Sequence, residues 1–115
     1  MDDFEVLGFS AAEKSMEVSL GASSRFFAGH FPDHPVLPAI AHLVLVDTLV
    51  KRCLGEGAGI IAVERARWLR PVPPGTRLRV RLTEARDPAQ MRFAIDGDEE
   101  RVSEGLLTWR APGPE

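Results

Sequence analysis

Apolar side chains recur along the chain in two rhythms, one of period two and one that is apolar almost continuously. Between Glu5 and Leu20, Val6, Leu7 and Phe9 are followed by the strict alternation Met16-Glu17-Val18-Ser19-Leu20. This predicts a strand pair, or one long bent strand, with a turn near Ala11 to Lys14. Ala39 to Leu54 is apolar nearly all round and is followed by Gly55, a residue suited to the position past a helix end. The segment therefore predicts a helix of about four turns, buried rather than lying on a surface. Three further extended runs follow, Ile60 to Val72, Arg77 to Ala85 and Met91 to Trp109, the last divided by an Asp96-Gly97-Asp98 turn. One buried helix among consecutive antiparallel strands implies an α+β fold, a curved antiparallel sheet wrapped around one central helix. A single curved sheet leaves an edge strand unpaired, and natural proteins cover such edges, so a dimer is expected. With 115 residues and no internal repeat, residues 1–110 read as one domain and residues 111–115 as a disordered tail.

Chemistry is most legible in residues 26–38, Phe-Phe-Ala-Gly-His-Phe-Pro-Asp-His-Pro-Val-Leu-Pro. Pro32, Pro35 and Pro38 fix φ and push the residues before them out of the α region, so the backbone around His30 is stiff and non-helical. A stiff loop can aim an imidazole. Pro38 also suits the start of the helix, because the N–H that it lacks would have no partner there. His30 is thus delivered close to a helix N-terminus, where free N–H groups and the positive end of the dipole can hold a carbonyl oxygen or an oxyanion.

Gly29-His30-Phe31-Pro32 with Pro35, Val36 and Pro38, preceded by Phe26 and Phe27, closely resembles the signature of the β-hydroxyacyl-acyl-carrier-protein dehydratases. These are small hotdog-fold enzymes of fatty-acid and polyketide synthesis. Ala66-Arg67-Trp68-Leu69-Arg70-Pro71-Val72 followed by Pro74-Gly75 is similar to the strand and turn after the central helix of that family. The resemblance covers about residues 25–82. It implies a hotdog fold and a site built between paired subunits, with the histidine from one chain and a helix acid from the other. By the same resemblance His30 removes the proton α to the thioester. Backbone N–H groups flanked by Gly29 and Ala39 hold the enolate-like oxygen, and Phe31, Pro38 and Val44 stand against the substrate. Ala39 replaces the family's glycine, a mild change because a backbone N–H remains. No cofactor is implied.

The main departure lies on the helix. The acid that helps the β-hydroxyl leave as water is expected fourteen residues after the histidine, where this chain has Val44. Valine donates no proton. Asp47 is the nearest carboxylate on the helix, three residues on and displaced about 4.5 Å along the axis. It has two readings, a displaced proton donor acting through a water or an i,i+4 ion-pair partner of Lys51. His42 lies about 200° around the helix from Val44 and reads as a hydrogen-bonded histidine packed at a subunit or sheet interface. His34 and His30 lack a third ligand at a suitable spacing, so no metal site is expected, and Asp33 reads as solvated. Cys53, the single cysteine, cannot form an internal disulfide and reads as a small buried hydrophobe.

A formal charge of -3 gives no overall attraction to nucleic acid or anionic membranes, so any basic surface must be local. Arg77-Leu78-Arg79-Val80-Arg81-Leu82 places three guanidinium groups on one face of a strand. They are either a solvated sheet face or, with Arg67 and Arg70 and further with Arg65, a docking patch for an acidic acyl carrier protein and its phosphopantetheine phosphate. The acidic start and the short, interrupted apolar runs predict a cytoplasmic protein with no membrane span. The function expected is that of a dehydratase-like protein acting on 3-hydroxyacyl-carrier-protein thioesters, through a displaced acid or as half of a heterodimer. The alternatives are a non-catalytic hotdog subunit that binds acyl carrier protein or a sister chain, and a thioesterase using Asp47, which the histidine loop disfavours.

Overall fold

The computed structural model describes residues 4–21, 27 and 37–111. Among them are six strands and one helix: β1 (Glu5–Ser10), β2 (Ser15–Ser19), α1 (Ala39–Leu54), β3 (Gly59–Trp68), β4 (Arg77–Glu84), β5 (Gln90–Asp96) and β6 (Arg101–Arg110). The strands form one antiparallel sheet in the order β1-β2-β4-β5-β6-β3. This is the α+β, one-helix architecture that the apolar pattern predicts. Strand order is less sequential than the pattern suggests: β3 does not pair with β4 but crosses to the far side of the sheet and pairs with β6. As a result β1 and β3 are the two edges of the sheet among the described residues.

The helix begins and ends where its residues dictate. Pro38 is the N-cap with φ -71° and ψ 158°, and its carbonyl accepts a hydrogen bond from the Ala41 N–H at 3.0 Å. Gly55, at φ 114°, closes the helix by donating its N–H to the Lys51 carbonyl at 2.9 Å, in a conformation that side chains with a Cβ rarely adopt. Leu37 donates to the Val72 carbonyl at 2.8 Å and so ties the approach to α1 against the chain leaving β3.

Alternation along each strand builds the core. Met16 and Val18 of β2, Leu78, Val80 and Leu82 of β4, Phe93 and Ile95 of β5, and Leu107 of β6 are all buried. They meet Ala41, Leu45, Val46, Leu49 and Val50, the buried face of α1, in one apolar cluster. Full burial of each such Val, Leu, Ile or Phe contributes about 1.5–3 kcal/mol, so this face supplies the main apolar contact between the helix and the sheet. The opposite face behaves differently from the all-round burial expected of the sequence: Ile40 is 67% and Val44 40% exposed in the single chain.

A bulge shapes the far side of the sheet. The β3–β6 register shifts between Glu64 and Arg67, and Arg65 within it has φ 54°. Across from it, Gly105 lets the Phe93 ring and the β3 backbone close in, for a Cβ there would lie 2.6 Å from Phe93 Cε2 and 3.1 Å from the Ala66 Cα. Gly105→Ala is therefore expected to destabilise the fold by about 1–3 kcal/mol through overpacking. Chemical denaturation checks this, and an unchanged midpoint would show that the β5–β6–β3 layer yields freely.

Candidate active site at the start of the helix

Pro38 and Ala39, at the first turn of α1, line a cavity of about 310 Å³ with Leu37, His42, Trp68 and Leu69. The first N–H groups of a helix have no intrahelical acceptor, so this cavity opens beside ready hydrogen-bond donors. Its walls come from both stretches that carry the family resemblance, the end of the proline-rich segment and the exit from β3. The expected base His30, its neighbours Gly29 and Phe31, and His34 and Asp33 lie outside the described residues.

His42 stands on the buried face of α1, beside Ala41 and Leu45, and is 3% exposed. Its Nδ1 lies 2.8 Å from the Ser103 Oγ, and its ring packs edge-on against Trp68 with centroids 5.2 Å apart. Burial lowers its pKa to about 4, against a weaker opposing hydrogen bond with the Leu37 backbone. The imidazole is neutral at pH 7 and joins α1, β6 and the end of β3. Helical spacing places it at an interface but gives no hint of Ser103, which sits in a strand with no feature that marks it as a partner.

Val44 projects from the open face of α1, on one stripe with Ile40, Asp47 and Lys51. Asp47 is engaged on both oxygens: Oδ2 accepts from Lys51 Nζ at 2.7 Å, and Oδ1 accepts from the Ile60 backbone N–H at 3.0 Å. The ion pair is one that the spacing anticipates. The Ile60 bond, made to the start of an edge strand, is not.

Cys53 is partly buried against the core. Burial raises its pKa, with the charge of Lys14 a weaker opposing influence, so the thiol is poorly nucleophilic.

Residues 9–106 match the family model described as ApeI-like, ApeI dehydratase. The chain belongs to the ApeI-like dehydratase family. Among curated relatives, the 3-hydroxyacyl-(acyl-carrier-protein) dehydratase FabZ of Gluconobacter oxydans is 31% identical over 102 residues, covering 72% of this chain and 60% of that protein. The FabZ of Granulibacter bethesdensis is 38% identical over 68 residues, covering 51% of this chain and 40% of its own. The chain thus spans three fifths or less of the length of these relatives. In solved structures, the dehydratase heterocomplex ApeI:P from Xenorhabdus doucetiae superposes with a TM-score of 0.73 at 24% identity, over 83% of this chain and 84% of that one. An (R)-hydratase from A. caviae superposes with a TM-score of 0.69 at 17% identity, over 85% of this chain and 92% of that one. These matches establish the hotdog fold of the ApeI-like chain, and the resemblance drawn from the histidine loop and the β3 exit leads to the same family.

Two outcomes test the geometry. His42 binds a proton less readily in the folded state than its ordinary value of 6.5, so stability should be full above pH 6.5 and fall as pH drops toward 4. Its share of that loss is on the order of 3 kcal/mol, read as the difference in unfolding free energy between the wild type and His42→Asn across the same pH range. Asp47→Asn keeps an acceptor for Ile60 and loses only a partly exposed ion pair, so it should change stability by less than about 1 kcal/mol. Asp47→Ala loses both contacts and should destabilise by about 1–2 kcal/mol; equal effects of the two substitutions in thermal unfolding would show that the Ile60 bond contributes nothing.

Proposed function

We propose that the chain is a dehydratase subunit for 3-hydroxyacyl thioesters carried on an acyl carrier protein, working in a pair whose other hotdog chain supplies the acid. His30 takes the α-proton, the N–H groups at Gly29 and Ala39 hold the charge that moves onto the thioester oxygen, and the β-hydroxyl leaves as water with a proton from the partner chain. Phe31, Pro38 and Val44 contact the acyl group. The setting is cytoplasmic, in keeping with a single, unpaired cysteine.

The observation that carries the pairing is the open stripe of α1. Val44 occupies the place of the expected acid, and it lies on an exposed apolar face with Ile40. Through Asp47 that stripe meets β3, an edge strand whose Ile61 is 59% exposed. Apolar side chains beside an unpaired edge favour a partner that covers both. Asp47 is a poor substitute acid, because a donor held by Lys51 and Ile60 would have to break both contacts to reach a substrate. The ApeI:P dehydratase of Xenorhabdus doucetiae is itself a heterocomplex, which supports the same arrangement.

For the carrier protein we propose the exposed arginines Arg67, Arg70, Arg77, Arg79 and Arg81. Arg77, Arg79 and Arg81 stand on the outer face of β4 with Leu78, Val80 and Leu82 buried beneath them. Arg67, Arg70 and Arg81 pair with Glu104, Glu100 and Asp96, whereas Arg77 and Arg79 have no carboxylate partner among the described residues.

The purified chain alone is expected to be inactive on 3-hydroxyacyl-carrier-protein thioesters, and Val44→Glu should raise turnover by about 10² or more by restoring a positioned acid. His30→Ala in the Val44→Glu background should abolish it. Turnover by the wild-type chain that survives His30→Ala would reject the dehydratase mechanism, and inactivity of Val44→Glu with and without sister chains would favour the non-catalytic binding subunit.

A further inference from the structure

The outer face of the sheet carries a second concavity, remote from the helix. Strand register brings Arg81 of β4 opposite Ala94 of β5, Ala94 opposite Glu104 of β6, and Glu104 opposite Arg67 of β3. Side chains in such a row share one face, so a small residue in its middle leaves a hollow between long neighbours. Ala94 is that residue. The flanking row supplies Arg92, which pairs with Thr83 across β4–β5, and Arg101 closes the third side. Arg65, held at φ 54° in the β3 bulge, closes the fourth. The resulting basin is about 400 Å³, floored by the β5 and β6 backbone at Phe93 and Gly105.

Five guanidinium groups thus surround one lining carboxylate. Glu104 accepts from Arg101 Nη1 at 3.2 Å and lies 3.6 Å from Arg67 Nη1, while Asp96 at the margin takes Arg101 Nε and Arg81 Nη2, each at 2.8 Å. Burial works to raise the pKa of Asp96, but the hydrogen bonds and charges of Arg101 and Arg81 outweigh it and hold the carboxyl below its usual value. These pairs orient three of the arginines. Arg65 and Arg92 have no carboxylate partner among the described residues, so two of the five arginines that line the basin carry uncompensated charge.

We propose that this basin is a binding site for a small phosphate-bearing anion, separate from the helix-start cavity. Two features favour a small anion over a flat protein surface. The charges line a concavity of small-ligand size, and planar guanidinium groups with a neighbouring Thr83 hydroxyl match the several oxygens of a phosphate. The strained φ of Arg65 is a further sign, because conformations of this kind persist where the surroundings impose them. The basin shares Arg65, Arg67 and Arg81 with the carrier patch and to that extent rests on that reading, whereas Arg92, Arg101 and Thr83 belong to the basin alone.

Calorimetric titration of the purified chain with inorganic pyrophosphate at low ionic strength is expected to show one site per chain. R92Q and R65G should each weaken it tenfold or more, the glycine preserving the bulge at positive φ. Arg52→Gln, which removes a cation from the helix layer, should leave the affinity within about twofold. Coenzyme A provides the second arm: tighter binding than pyrophosphate, with the same dependence on Arg65 and Arg92, assigns the site to a phosphate ester, and weaker binding assigns it to the free anion. Absence of pyrophosphate binding, or equal binding by the R65G/R92Q double variant when both proteins show the same unfolding midpoint, overturns the proposal. Binding of polyglutamate that needs Arg65 and Arg92 without any binding of pyrophosphate overturns it in favour of an acidic protein partner.

Discussion

Everything else in the molecule depends on α1 lying against the inner face of the sheet by one side only. Leu45, Val46, Leu49 and Val50 meet the inward rows of β4, β5 and β6, and that contact removes enough apolar surface from water to order the strands around it. It also fixes the rotation of the helix. Once those residues face inward, Ile40, Val44, Asp47 and Lys51 must face out, and the first turn of α1 must open toward Trp68 and Leu69. The position of the cavity and the identity of the side chains offered to a partner follow from a packing choice made elsewhere along the same helix.

His42 shows how a polar residue takes part in that packing. Neutral, hydrogen-bonded to Ser103 and stacked edge-on against Trp68, it does for three elements what an aliphatic side chain does for two. A buried imidazole with partners for its nitrogens avoids the penalty of an unsatisfied polar group, at the expense of stability in acid. Its proximity to the cavity belongs to the wall of the site, while the chemistry proposed for the chain rests on the histidine of the proline-rich loop.

Local structure was legible in the residues because each signal acts over a few positions. The prolines before Ala39, the glycine after Leu54 and the strict alternation of Arg77 to Leu82 each decide backbone geometry within one or two turns or a single strand. Strand order was not legible: β3 pairs with β6 because the inward rows have to close over the helix, and no short-range pattern encodes a partner so distant in the chain. The same holds for the site. Val44 and the Asp47–Lys51 pair could be seen from helical spacing, whereas the Asp47–Ile60 bond, the Ser103 partner of His42 and the arginine basin all arise between elements. Gly105 is an intermediate case, since a glycine inside an apolar strand marks a close approach of backbone and side chain without saying which neighbour approaches.

The bond from Ile60 to Asp47 has a meaning for assembly beyond the stability of one chain. It occupies the first outward N–H of the free edge, and the bulge at Arg65 breaks the ladder farther along, so an incoming strand finds a short, bounded stretch on which to dock. A flat, uninterrupted edge accepts neighbours in several registers, each slip of one residue turning inward side chains outward. An edge stopped at both ends works instead as a keyed slot. In the pair proposed above, a second chain is selected by the length of strand it can lay between the two stops, so that choosing a mate and aligning the two halves of a shared site become a single event.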